Sequence, residues 1–305
     1  MNIVVLGAGA IGSFFGALLS IDNNVVLVGR PLHVDAIKKH GLRIVGRTNV
    51  NVRPHAVCSV SEIPFMPDML MVTVKSYDTE SAVRSAKSVI GEDTLVLSLQ
   101  NGLDNVDKIV RIVGCDKVIA GVTTYGAIFS RPGVIRHTGV GLTVLGELSR
   151  RESGRIKHVV YVFNRAGIRT RISMDIWREI WSKVIINSSI NPVTAFFQCK
   201  NGYLLKNPVL RNIVGRICRE STLVAQAEGM DLSYNGMLHR TIRVIRDTAE
   251  NYSSMLQSLR RGGRTEIDSI NGRIVEIGKK HGVDTSVNEI LVFLIKEMES
   301  KNVLR

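Results

Sequence analysis

The chain opens on a short β-branched run, Asn2-Ile3-Val4-Val5-Leu6, and further apolar runs follow at Val25–Val28, Met69–Val74, Leu95–Leu99 and Lys117–Val122. None alternates apolar with polar positions, so each reads as a parallel strand buried on both faces. Helical segments around 78–89 and 103–112 separate them, and right-handed crossovers then give a doubly wound sheet. Arg131-Pro132-Gly133 and Val134-Ile135-Arg136 lead through His137 to Leu142-Thr143-Val144, which predicts a hairpin ending the sheet. His137 has no acidic or cysteine neighbour and reads as structural. The basic segment 150–171 supplies a helix and a last short strand.

From about 173 onward the pattern is helical, with polar loops at 199–207, 229–233 and 282–285. The first helix is expected to end or kink near Asn191-Pro192. Thr265-Glu266-Ile267-Asp268 resembles a capping box that puts Glu266 in the first turn of a helix closing at Lys279-Lys280-His281-Gly282. The last helix starts from a cap at Thr285 and places Val287, Ile290, Leu291, Leu294, Ile295 and Met298 on one face, a core stripe.

The first strand runs into Gly7-Ala8-Gly9-Ala10-Ile11-Gly12 and then a helix. In that order, glycines serve a tight turn, close approach of a pyrophosphate to the backbone and close helix packing, with the phosphates on the helix's positive end. A purely structural glycine turn is the competing account. The fold class is therefore α/β: a Rossmann-type doubly wound parallel sheet over 1–171 and an all-α domain over 172–305. Arg30, after the second strand, stands where NAD-binding proteins usually carry an acid, and suits the 2′-phosphate of NADP; it could equally be a surface residue beside Pro31. Lys75 and Gln100-Asn101-Gly102 follow the next strands, at the carboxyl edge where such sheets bind ligands, although each alone also fits a surface lysine or an ordinary turn.

Composition narrows the classes. The 305 residues are 45% hydrophobic, enough for real cores, and 40 Lys+Arg against 27 Asp+Glu leave a net charge of +13. The basic residues are interspersed without aromatic interleaving or a nucleic-acid motif, so most are solvated surface and no nucleic-acid partner is expected. Cys58, Cys115, Cys199 and Cys218 are scattered, which argues against a zinc site or disulfide framework and fits a reducing cytoplasm. Ile3 to Ile21 carries no charge, but glycines cut it and no basic residue precedes it, so no membrane segment is expected.

The second half holds the candidate chemistry. In Trp181-Ser182-Lys183-Val184-Ile185-Ile186-Asn187-Ser188-Ser189-Ile190-Asn191-Pro192, each four-residue step on a helix turns the side chain by only about 40°. Lys183, Asn187 and Asn191 then line one stripe of a helix that is otherwise apolar. Such a stripe needs a polar partner, and a small polar ligand would serve; otherwise Lys183 snorkels and the amides cap neighbouring backbone. Asn251-Tyr252-Ser253-Ser254 lies before Gly262-Gly263, which would bring Glu266 back towards it. The serines could cradle a carboxylate or simply cap a helix.

The ordered set of the glycine turn, Lys75, Gln100-Asn101-Gly102, Trp181-Ser182-Lys183 with Asn187 and Asn191-Pro192, Asn251 with Ser253-Ser254-Met255-Leu256-Gln257, and Thr265-Glu266-Ile267-Asp268 with Ile270-Asn271-Gly272 closely resembles the ketopantoate reductase family over essentially the whole chain. The resemblance implies NADPH-dependent reduction of 2-dehydropantoate to (R)-pantoate, on the way to pantothenate and coenzyme A, with NADH as the alternative cofactor. By the family pattern Lys183 would be the proton donor. Asn187, Asn191, Asn201, Asn251, Tyr252, Ser253, Ser254 and Asn101 would hold substrate. Gly7, Ala8, Gly9, Ala10, Ile11, Gly12, Arg30, Lys75, Asn101, Ala127 and Glu266 would face the cofactor. Glu266 could tether Lys183 or contact the ribose, and a homodimer is compatible with the resemblance. The rivals are a related 2-keto acid or imine reductase and a non-catalytic dinucleotide-binding regulator; the latter has no use for Lys183, Asn187, Ser254 and Glu266 together.

Overall fold

The computed structural model describes residues 1–303, which form two compact units: Met1–Gln100 with Asn105–Ile176, and Asn101–Asp104 with residues 177–303. The first unit runs β1 (Asn2–Leu6), α1 (Ala10–Leu19), β2 (Asn24–Val28), α2 (Pro31–His40), β3 (Leu42–Gly46), β4 (Val50–Val52), β5 (His55–Val57), β6 (Met69–Val72), α3 (Thr79–Ser85), β7 (Leu95–Ser98), α4 (Asn105–Val113), β8 (Val118–Thr123), β9 (Gly126–Arg131), β10 (Val134–Gly139), β11 (Thr143–Glu147), α5 (Gly154–Arg165) and β12 (Thr170–Ile172). Its main sheet has the order β12-β11-β8-β7-β6-β1-β2-β5. All neighbours pair in parallel except β11, which is antiparallel to β8. From β1 the chain winds outward through β2 and β5 on one side and through β6, β7 and β8 on the other. The strand order thus reverses beside β1, where doubly wound sheets leave a crevice at the carboxyl edge. The apolar runs at β1, β6 and β8 are buried at nearly every position, as their unbroken hydrophobicity predicts.

The predicted hairpin is corrected by the structure. β9 and β10 pair with each other and, through β3 and β4, form a separate four-stranded sheet β4-β3-β10-β9, whereas Thr143-Val144 joins the main sheet in β11. His137 on β10 is structural: it is buried, with Nδ1 at 2.9 Å from Thr48 Oγ1 and Nε2 at 3.0 Å from the Gly139 carbonyl.

His33, on α2, ties this small sheet to α1. Its Nδ1 accepts from Gly133 N at 3.0 Å, which leaves the proton on Nε2 to be donated to Ser13 Oγ at 3.0 Å. The ring is 3% exposed, and burial pulls its pKa from 6.5 down to about 4. Above the unfolded value both states are neutral and the group is without effect; as pH falls from there towards 4 the unfolded chain gains a proton that the folded chain refuses. Stability is therefore expected to drop by about 2–3 kcal/mol across that window on account of His33. Thermal melts at pH 7 and pH 5 check this: His33→Gln should shrink the difference in Tm, and an unchanged difference contradicts it.

The second unit contains α6 (Ile176–Phe196), whose first residue closes the first unit, then α7 (Tyr203–Lys206), α8 (Pro208–Ala227), α9 (Tyr234–Asp247), α10 (Ser254–Arg260), α11 (Arg273–His281) and α12 (Ser286–Val303). Its core gathers Ile190, Val193, Leu204, Leu210, Val214, Ile217, Ile245 and Leu291. Of the two alternatives at Asn191-Pro192, an end or a kink, the end is ruled out: α6 carries Pro192 inside it. Two expectations are corrected here. No capping box opens α11: Asp268 instead binds Arg264 and Lys296, and a π-type turn over Asp268–Gly272 precedes the helix. On α12, Ile290 is 58% exposed; the buried line runs through Asn288, Leu291 and Ile295.

Candidate active site

α6 places Lys183, Asn187 and Asn191 at four-residue steps, one turn apart on the same side. Val184, Ile185, Ile190 and Val193 are buried around it, so the helix is held by packing on most of its circumference. Asn191 is itself buried, while Lys183 and Asn187 keep part of their surface accessible. Protein nevertheless crowds the Lys183 ammonium closely enough that burial lowers its pKa from 10.5 to about 8, with the Glu266 charge opposing the fall.

Glu266 is 7% exposed and accepts a hydrogen bond from Asn101 Nδ2 at 3.2 Å. Leu103 N donates to the Ser269 carbonyl at 3.0 Å, so the Asn101–Asp104 segment is fastened to the stretch carrying Glu266. Gly102, with φ of +107°, makes the turn between them, a conformation that a side chain would strain.

The remaining predicted substrate residues cluster near the carboxyl end of α6. Ser253 Oγ lies 2.8 Å from Thr194 Oγ1 and accepts from Leu256 N at 3.2 Å, so this hydroxyl caps α10 while Thr194 holds it to α6. Ser254 is the exposed first residue of α10. Asn201 N donates to the Asn251 carbonyl at 3.0 Å, and Asn201 Nδ2 donates to Thr248 Oγ1 at 2.9 Å. Asn201 Oδ1 is buried without a hydrogen-bond partner among the described residues. Tyr252 is partly exposed, with the Arg260 guanidinium over its ring at 4.1 Å.

In the first unit the glycine turn occupies the reversal point of the sheet. Gly7 and Ala8 N both donate to the Val28 carbonyl, and Thr73 Oγ1 donates to the Gly7 carbonyl at 2.8 Å. A Cβ on Gly12 would lie 2.3 Å from the Gly7 carbonyl oxygen and 2.4 Å from Thr73 Oγ1, so α1 can sit this close to β1 only with glycine there. Gly9, the N-cap of α1, supplies no side chain to the helix's first N–H groups, and nothing in the protein comes within 4 Å of where its Cβ would be. That is open space lined by free donors at the positive end of a helix, and it fits a pyrophosphate. Gly29 packs against Ala8, which sets the exposed Arg30 beside the turn, and Lys75 follows Thr73 and Val74, which line its other side. Ala127 lies on β9, against the core containing Phe14.

Thr73, Thr194 and Asn271 share in this architecture, yet none of them is among the site residues expected from the sequence. For Thr194 a signal exists: it sits three residues beyond Asn191, on the next turn of the same helix. Among the described residues no group of three or more His, Cys, Asp or Glu side chains could hold a metal, and no helix is long and apolar enough to cross a membrane.

Comparisons with known proteins show the family and the fold. The family described as Ketopantoate reductase PanE/ApbA matches residues 3–150, and its C-terminal counterpart matches 175–299. The chain is similar to the 2-dehydropantoate 2-reductases of Pyrococcus horikoshii, at 40% identity with 98% of each chain covered, and of Archaeoglobus fulgidus, at 37% with 98% of each. Among solved structures it is similar to a PanE/ApbA family ketopantoate reductase from Ralstonia eutropha, with a TM-score of 0.92 at 30% identity over 99% of this chain and 100% of that one. It is also similar to D-mandelate dehydrogenase in its complex with NADH and anilino(oxo)acetate, with a TM-score of 0.94 at 29% identity over 99% and 100%.

Proposed function

Because this chain belongs to the ketopantoate reductase family, we propose that it reduces 2-dehydropantoate to (R)-pantoate with NADPH, in the cytoplasm, with Lys183 as proton donor. The reduced nicotinamide, when bound, supplies hydride to C2 of the keto acid. As C2 is reduced its carbonyl oxygen gains negative charge, which must be stabilised and protonated as it forms. Lys183 does both. Its pKa near 8 keeps the ammonium charged at neutral pH while making the proton easier to release than from an ordinary lysine. This placement of a crowded, acidified ammonium on the polar stripe of α6 carries the reading.

Asn187 and Asn191 extend the stripe and, with Asn201, hold the substrate's polar groups. Glu266 steadies the Lys183 charge and is itself oriented by Asn101. The first N–H groups of α1 hold the pyrophosphate, and Arg30 and Lys75 stand where they can meet the ribose 2′-phosphate and neighbouring oxygens.

The likeness to D-mandelate dehydrogenase bound to NADH favours one second reading, a related 2-keto acid reductase that uses NADH. Steady-state assays separate them. With 2-dehydropantoate, kcat/KM is expected to be highest among a panel of 2-keto acids, and higher with NADPH than with NADH; preference for an aryl keto acid, or for NADH, rejects the corresponding part of the proposal.

A further inference from the structure

Pro192 has no N–H, so the carbonyl four residues earlier, on Ser188, loses its helical partner. Ser188 is fully buried, where an unpaired carbonyl is costly. The vacant place is taken from outside the helix: Asn271 Nδ2 donates to the Ser188 carbonyl at 3.2 Å. The same Nδ2 donates to Asn288 Oδ1 at 3.0 Å, and Asn288 Nδ2 donates in turn to Glu220 Oε2 at 2.7 Å. Glu220 also accepts from Val287 and Asn288 N at the start of α12. A carboxylate at one end and a carbonyl at the other fix both amide orientations, because flipping Asn271 would set its oxygen against two acceptors.

Asn271 can reach inward because of the π-type turn it occupies. Ile270 N bonds the Glu266 carbonyl, while Gly272 N reaches the Ile267 carbonyl five residues back. The widened turn begins two residues after Glu266 and carries Asn271 near its end, and Asn271 is fully buried. Such turns recur at functional sites.

We propose that Asn271 is a positioning residue: by supplying the hydrogen bond that Pro192 cannot make, its carboxamide fixes the Lys183-Asn187-Asn191 stripe of α6 relative to Glu266. A proline inside α6 and an asparagine in the turn after Glu266 therefore form one device. Neither residue touches the reacting atoms. The inference rests on the role given to Lys183 above, but its core, an Asn271–Pro192 coupling through one carbonyl, can be read separately.

The test compares wild type, Asn271→Ala, Pro192→Ala and the double variant in kcat, KM for 2-dehydropantoate and NADPH, the pH dependence of kcat, and Tm. Pro192→Ala restores an N–H to Ser188 and should stay within about threefold of wild type. Asn271→Ala should lower kcat by about tenfold or more and leave KM for NADPH unchanged. It should also move the alkaline limb of kcat to lower pH, since Lys183 loses alignment with the Glu266 charge that raises its pKa. The double variant should recover at least half of the lost kcat on a logarithmic scale and a matching part of Tm, a non-additivity expected only of coupled sites. Unchanged kcat and pH profile in Asn271→Ala, with only Tm lowered, would make the residue merely structural and overturn the proposal. So would a double variant no better than Asn271→Ala. Should Asn271→Ala not fold, the double variant decides: folded and active supports the coupling, unfolded overturns it. A wild type inactive on 2-dehydropantoate would count against the proposed function, while the Tm values of the four proteins would still decide the coupling.

Discussion

Lys183→Ala is expected to lower kcat for reduction of 2-dehydropantoate by about 10²–10⁴-fold, the range lost when a general acid or a principal stabiliser of developing negative charge is removed. NADPH binding should change little, since the glycine turn lies on other elements of the fold. The pH dependence follows from the same group. With Lys183 as the proposed proton donor, reduction draws on its charged form, so kcat should be flat below its pKa and fall as pH rises through about 8. Oxidation of pantoate needs the neutral amine and should instead rise through the same value. Lys183→Arg separates the two tasks: it keeps the positive charge but releases no proton in this range, and should recover part of the loss without restoring the limb near pH 8. Turnover retained in Lys183→Ala, or opposite pH limbs, would remove the assignment.

Gly12→Ala is expected to weaken NADPH binding by about 10–100-fold. The added methyl would stand 2.3 Å from the Gly7 carbonyl oxygen and 2.4 Å from Thr73 Oγ1, so α1 must move away from β1. Overpacking of this kind costs about 1–3 kcal/mol, and the strain falls on the N–H groups proposed to hold the pyrophosphate. Gly9→Ala is the informative partner, because nothing in the protein meets its Cβ. It should leave Tm nearly unchanged and weaken binding only through contact with the nucleotide. Fluorescence titration with NADPH together with melting curves distinguishes the two; normal affinity in both variants would place the nucleotide elsewhere.

Much of this was legible in the chain. The central strands announce themselves because burial on both faces demands unbroken apolar runs, and the four-residue spacing of Lys183, Asn187 and Asn191 is a property of helical geometry alone. What was not legible depends on distant partners. The small sheet escaped notice because β10 pairs with β3 across a long stretch of chain. Pro192 suggests a helix end only while the carbonyl it strands has nowhere to go, and Asn271 provides that outlet. Asp268 has the spacing of a capping residue, but Lys296 and Arg264 claim it first. Ile290 fits the periodicity of a core stripe, and the turn of α12 leaves it exposed.

The ends of the two sheets bear on how the protein behaves when concentrated. Both outer strands of the main sheet, β12 and β5, and one outer strand of the small sheet, β4, are only three residues long. Edges this short give another chain little backbone to zip onto, which guards against fibre-like aggregation. The exception is the six-residue β9, whose outer end carries the exposed Ser130 and Arg131. A charge there acts as a gatekeeper against stacking of one molecule on the next, so the fold guards its longest open edge with solubilising side chains rather than with brevity.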